Sequence, residues 1–64
     1  MKIKYDKESD VLYIRFNYEP ISESDQEKPG IIIDYNENGQ IVGIEVLKAS
    51  SKVDEINGVF YEFA

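Results

Sequence analysis

The 64-residue chain has no cysteine, no histidine and no tryptophan, and Met1 is its only methionine. Without cysteine there is no disulfide framework, no thiolate zinc site and no cysteine nucleophile. Without histidine there is no imidazole base, no Ser-His-Asp triad and none of the common transition-metal sites. Positive charge is also scarce, with 7 Lys and Arg against 13 Asp and Glu, a net charge of -6. The most basic stretch is the alternation of Lys2 and Lys4. Nucleic-acid affinity comes mainly from Lys and Arg displacing counterions, so direct nucleic-acid binding is not expected. Long apolar runs are missing as well. The longest aliphatic run is Ile31-Ile32-Ile33, far short of a membrane span. Met1 is followed directly by Lys2-Ile3-Lys4-Tyr5-Asp6, without the apolar core of a signal peptide. A cytoplasmic location, with no membrane association, is the expectation. The length allows one small domain, residues 1-64.

What remains is rich in alternation, the signature of strands. Ile3 and Tyr5 alternate with Lys2 and Lys4, and Asp6 to Asp10 form a polar turn. Val11 to Phe16 follows, with Leu12, Ile14 and Phe16 on one face and Val11, Tyr13 and Arg15 on the other. Residues Asn17 to Pro29 carry four acidic groups and two prolines, with Ile21 their only aliphatic residue. They read as a long connection closed by the Pro29-Gly30 turn signal. Ile31 to Tyr35 is a third strand, Asn36-Glu37-Asn38-Gly39 a hairpin turn, and Ile41 to Leu47 a fourth strand. Val42, Ile44 and Val46 share one face of that strand. Beyond it, Ser51 with Asp54 fits a loose capping signature, and Asn57-Gly58 closes a helix of roughly six residues. Val59 to Phe63 reads as a last short strand, or as a tail that docks on a neighbour. The expected fold is therefore α+β, mainly β: a four-stranded antiparallel meander sheet with a short C-terminal helix.

Such a sheet cannot cover its own apolar face. A chain this short leaves roughly 40% of its extended surface exposed. A second copy is the simplest cover, which makes a homodimer the expectation.

The sharpest motif is a calcium-loop pattern. Asp34, Asn36, Asn38, Gly39 and Glu45 satisfy its ligand spacing, and their oxygens suit a hard cation. That loop normally lies between two helices, whereas triple isoleucine precedes this one and a strand pattern follows. The hairpin accounts for Asn38-Gly39 without any ion, so no metal or other cofactor is expected, and a calcium-binding module stays only as the alternative.

Enzymatic chemistry would have to rest on carboxylates, hydroxyls or lysine. Asp6 and Asp10 flank the first turn, where such acids ordinarily cap backbone N–H groups. The four glycines stand apart and form no phosphate loop. The chain is not expected to be an enzyme. Its five tyrosines fit interfaces better, because each joins a large apolar body to a polar tip. Tyr5 and Tyr35 suit cross-strand packing, whereas Tyr13 and Tyr61 are left for contacts. The candidate partner contacts are Tyr13, Glu23, Asp25, Glu27 and Tyr61, and an acidic chain favours a basic protein partner. A structural homodimer without a separate activity is a further alternative.

Several of these segments together carry a family resemblance. Tyr5-Asp6, Asp10-Val11-Leu12-Tyr13-Ile14-Arg15-Phe16, Pro29-Gly30-Ile31-Ile32-Ile33-Asp34-Tyr35, Gly39, Ile41-Val42-Gly43-Ile44-Glu45-Val46-Leu47 and Ala49-Ser50 are similar to a family of small bacterial and archaeal proteins of unknown function, DUF2283. The resemblance spans about residues 1-52. It implies a small stand-alone β-rich protein. For some members it also implies a second small protein encoded alongside, as in a toxin–antitoxin pair, and hence an antitoxin-like binding role. It assigns no catalytic residue.

Overall fold

The computed structural model describes residues 1–64. Five strands form one antiparallel sheet: β1 (Lys2–Asp6), β2 (Val11–Arg15), β3 (Glu23–Lys28), β4 (Ile31–Tyr35) and β5 (Ile41–Leu47). Their order across the sheet is β1-β2-β5-β4-β3. A single 3-10 turn, Ala49–Ser51, follows β5, and residues 52–64 contain neither helix nor strand. No helix is long and apolar enough to cross a membrane.

Three expectations are corrected here. The sheet has five strands and not four, its order is not a meander, and there is no C-terminal helix and no last strand at Val59 to Phe63.

The extra strand is β3, whose sequence Glu-Ser-Asp-Gln-Glu-Lys is exposed throughout. An edge strand wet on both faces has no apolar face to mark its period. Its pairing with β4 rests instead on the backbone ladder and on polar side chains. Ser24 Oγ donates to Asp34 Oδ1 at 2.6 Å, and Tyr35 Oη donates to Glu27 Oε2 at 2.8 Å. Pro29-Gly30 joins β3 to β4, with Gly30 at φ 78°. Proline and then a left-handed glycine at the two central positions is type II turn chemistry.

The order differs because β5 takes the centre, pairing with β2 on one side and β4 on the other. It is the longest strand, with seven residues, and supplies fully buried Val42 and buried Gly43. A β-carbon on Gly43 would stand 3.0 Å from the Ile14 carbonyl oxygen and 3.1 Å from Arg15 Cδ. Glycine is what lets β2 and its arginine lie this close.

In place of a helix, the chain after β5 is pinned to the first turn. Lys48 takes a left-handed φ of 51°, and Ala49 N donates to the Asp10 carbonyl at 3.0 Å. Ser51 does not cap Asp54; its Oγ donates to the Lys48 carbonyl. A helix of about six residues has too few hydrogen bonds to repay its nucleation, so these tertiary bonds prevail.

Register sorts the side chains into two unlike faces. Ile3, Ile14, Ile44, Ile33 and Asp25 form one row across the sheet, and Tyr5, Leu12, Val46, Ile31 and Lys28 form the next. The opposite face carries the row Lys4, Tyr13, Glu45, Ile32, Gln26 and the row Lys2, Arg15, Gly43, Asp34, Ser24. One face is thus apolar with a charged edge, and the other carries the charges of Lys2, Lys4, Arg15, Asp34 and Glu45 among Tyr13, Ile32 and small or polar residues. Only three hydrophobic residues are buried, namely Val11, Val42 and Ala49. The molecule measures 33 × 31 × 19 Å, a single layer in its thin dimension.

Candidate functional site

On the charged face, alternation along β4 and β5 turns Asp34 away from Ile33 and Glu45 away from Ile44, and the register sets the two carboxylates side by side. Asp34 is only 2% exposed. Its Oδ1 accepts the Ser24 hydroxyl, and Glu45 shares a hydrogen bond with it. Burial first, then that bond and the negative charge of Asp34, push the Glu45 carboxyl up to about 7. Two carboxylates this close resist ionising together, which is why Glu45 holds its proton to higher pH than an ordinary carboxyl. The result is a polar line across three strands, Ser24 on β3, Asp34 on β4 and Glu45 on β5. Together with Lys2, Lys4, Asp6, Tyr13, Arg15 and Ile21, the pair lines an open groove of about 280 Å³.

Raised carboxylates in a groove are a signature shared by acid–base sites and by structural clasps. The bonding here is that of a clasp. Asp34 is sealed and already bonded, and the Arg15 guanidinium is spent on the β2–β3 connection. Its Nε donates to the Asn17 carbonyl at 3.2 Å and its Nη2 to the Glu19 carbonyl at 2.7 Å.

The calcium-loop residues do not assemble into a cage. Asn36 Oδ1 accepts the N–H groups of Asn38 and Gln40, and Asn36 Nδ2 donates to Glu19 and Gln40. The oxygen a cation would need closes the turn instead. No group of three or more acidic side chains converges at Asp34 and Glu45.

A second clasp is centred on Asp10, which takes a left-handed φ of 56° at the end of the first turn. Its Oδ1 accepts the Tyr5 hydroxyl at 2.6 Å and Ser50 N at 2.9 Å, and its Oδ2 accepts the Ser50 hydroxyl at 2.7 Å. Those bonds, from Tyr5 first and then Ser50, hold its carboxyl below the usual range. Asp6 is also lowered, chiefly by the backbone N–H of Ser9. Asp6 thus caps the turn as expected, whereas Asp10 does not cap it and instead ties β1 to the segment after β5.

The apolar face is the other candidate surface. Ile31, Ile33, Ile44 and Val46 all remain part-exposed at its centre. Residues 53–59 lie against the β1–β2 side, where Val53, Ile56 and Val59 line a groove of about 190 Å³ with Ile3, Leu12 and Ile14. The candidate contacts are distributed unevenly over these surfaces. Asp25 stands opposite Ile33 and Glu23 opposite Tyr35, while Glu27 bonds Tyr35, so the three acids rim the β3 edge of the apolar side. Tyr61 is 71% exposed in the C-terminal segment. Tyr13 stands on the charged face between Lys4 and Glu45, apart from the rest.

Sequence reasoning did not single out the Asp34–Glu45 pairing, though the signal was present. Counting back from the Asn36–Gly39 turn puts Asp34 across from Gly43, one alternation step from Glu45.

Fold and surface thus define a single-layered antiparallel β protein with one apolar and one charged face. The chain belongs to the DUF2283 family, proteins of unknown function, whose family model matches residues 2–50. No curated protein and no solved structure matches it.

Proposed function

We propose that this protein is a non-enzymatic protein-binding module whose apolar sheet face docks a second copy of itself. The observation that carries the reading is the missing layer. A domain ordinarily buries a sheet face against another layer, and here only three hydrophobic residues are buried. The chain exposes 5131 Å². A folded monomer of 7.4 kDa exposes about 4,200 Å². The excess, roughly 900 Å², is shared between the sheet and the exposed Val59 to Phe63, and it is of the order of the ~800 Å² that one partner gives up in a standard interface.

Apposition of the two apolar faces, with residues 53–59 of each copy lying between them on the β1–β2 side, makes a layered dimer. It is isologous, so one apolar surface serves both copies. The row of Glu23, Asp25 and Glu27 stays at the rim, where a basic protein is the complementary partner. That rim supports the antitoxin-like reading implied by the family resemblance.

The test is native mass spectrometry of the full chain and of Ile33→Glu. The native chain is expected at twice its monomer mass and the variant at the monomer mass, because the substitution brings a charge into the centre of the interface. A variant as dimeric as the native chain would overturn the assignment of this face. Co-expression with the small protein encoded alongside tests the rim. Loss of a heteromeric complex on reversing the three acids to lysine is expected, and an unchanged complex would contradict it.

A further inference from the structure

We propose that the C-terminal arm, Val59 to Phe63, is the clasp of this dimer, each arm lying on the β4–β5 half of the other copy's apolar face. The proposal rests on the face-to-face reading above and adds the segment that holds it.

The arm is apolar and uncovered. Val59 is 66% exposed, Phe60 87%, Tyr61 71% and Phe63 90%. Four large apolar side chains in five residues are far from the scattered exposed residues normal on a surface. In extended conformation Val59, Tyr61 and Phe63 point one way, while Phe60 and the charge of Glu62 point the other. The arm thus offers one apolar stripe of its own.

Its point of departure fixes where it can go. Val53, Ile56 and Val59 sit against Ile3, Leu12 and Ile14, so the chain before the arm covers the β1–β2 half of its own sheet. Both halves keep part-exposed side chains, Leu12 and Ile14 beside that segment and Ile31, Ile33, Ile44 and Val46 on the β4–β5 half. A two-fold axis parallel to the strands sets the β1–β2 half of one sheet against the β4–β3 half of the other. An arm leaving the first half then arrives over the second half of the partner, and symmetry makes the exchange reciprocal. The arm lies outside the residues the family model matches. It is therefore an addition to the common sheet, and none of the strand pairings involves it.

Two measurements test this on the full-length chain. Tyr61→Ser together with Phe63→Ser is expected to weaken dimerisation at least tenfold in sedimentation equilibrium, with an unchanged far-ultraviolet spectrum. The chain has no cysteine, so Phe63→Cys gives a single site for a spin label. In dimers mixed from spin-labelled chains and isotope-labelled chains, the Ile31, Ile33 and Ile44 methyl signals of the isotope-labelled copy should broaden. Native-strength dimers from the double variant, or no broadening between copies, would overturn the clasp. Ile33→Glu would then still separate the copies if the sheet faces alone make the dimer. A native chain that stays monomeric throughout would remove both readings.

Discussion

The two faces of one five-stranded sheet solve different problems with the same backbone. On the charged face, Ser24, Asp34 and Glu45 bind one another across three strands, and Arg15 ties down the following connection. Every polar group buried there has a partner, since no buried side-chain nitrogen or oxygen lacks one. On the apolar face the residues match in kind but lack a second layer. Hydrogen bonds can be completed within a sheet, whereas apolar surface needs another body to cover it. The charged face is internally finished, and the apolar face is an invitation.

Substitutions can separate the two. The largest effect is expected on the apolar side, where Ile33→Glu should convert dimer to monomer and weaken self-association at least a hundredfold. Removing a charge-accepting clasp comes next. Asp10→Ala leaves the Tyr5 and Ser50 donors without an acceptor, and chemical denaturation should show a lower midpoint than the native chain. Gly43→Ala tests the close approach behind the charged face. Its β-carbon meets backbone at 3.0 Å, and overpacking of this kind costs about 1–3 kcal/mol. Dimer stoichiometry measured below the unfolding transition should be unchanged.

The smallest effect is a slope against pH. The folded-state carboxyl of Glu45 lies above its unfolded value of 4.5, at about 7. Its contribution is complete below the unfolded value and is lost as pH rises through about 7. Asp10 and Asp6 are lowered, so their contributions are present above the ordinary carboxylate range and fade as the solution is acidified. Thermal unfolding from about pH 5 to about pH 8.5 should show the native chain losing stability, while Glu45→Gln stays nearly level. A slope equal in both would show that the Glu45 carboxyl is not raised in the folded chain.

Much of this architecture was legible in the chain. Strands β1, β2, β4 and β5 announce themselves by alternating apolar residues, and Pro29-Gly30 and Asn36–Gly39 mark the turns. The same alternation places Leu12 with Ile14 and Glu45 away from Ile44. Strand β3 was hidden because Glu23 to Lys28 bury nothing, and a period needs a buried side to be seen. Yet Pro29-Gly30 is a two-residue hairpin turn, and a hairpin implies a strand before it as well as after. Strand order was hidden for another reason. Antiparallel pairing lets either Ile31–Tyr35 or Ile41–Leu47 lie beside β2, and Gly43, by admitting Arg15, favours the second. The expected helix failed because Asp10, forty residues away from Ser50, captures the segment after β5. Of the calcium-loop residues, Asn36 bonds within the turn, and Asp34 and Glu45 lie together on the sheet.

Sedimentation equilibrium of the native chain from about 1 to about 200 μM tests the central claim most directly, since a standard interface spans micromolar to tighter affinities. A dimer that dissociates only toward the dilute end is the predicted result. A monomer at every concentration would show that the apolar face is not a self-docking surface.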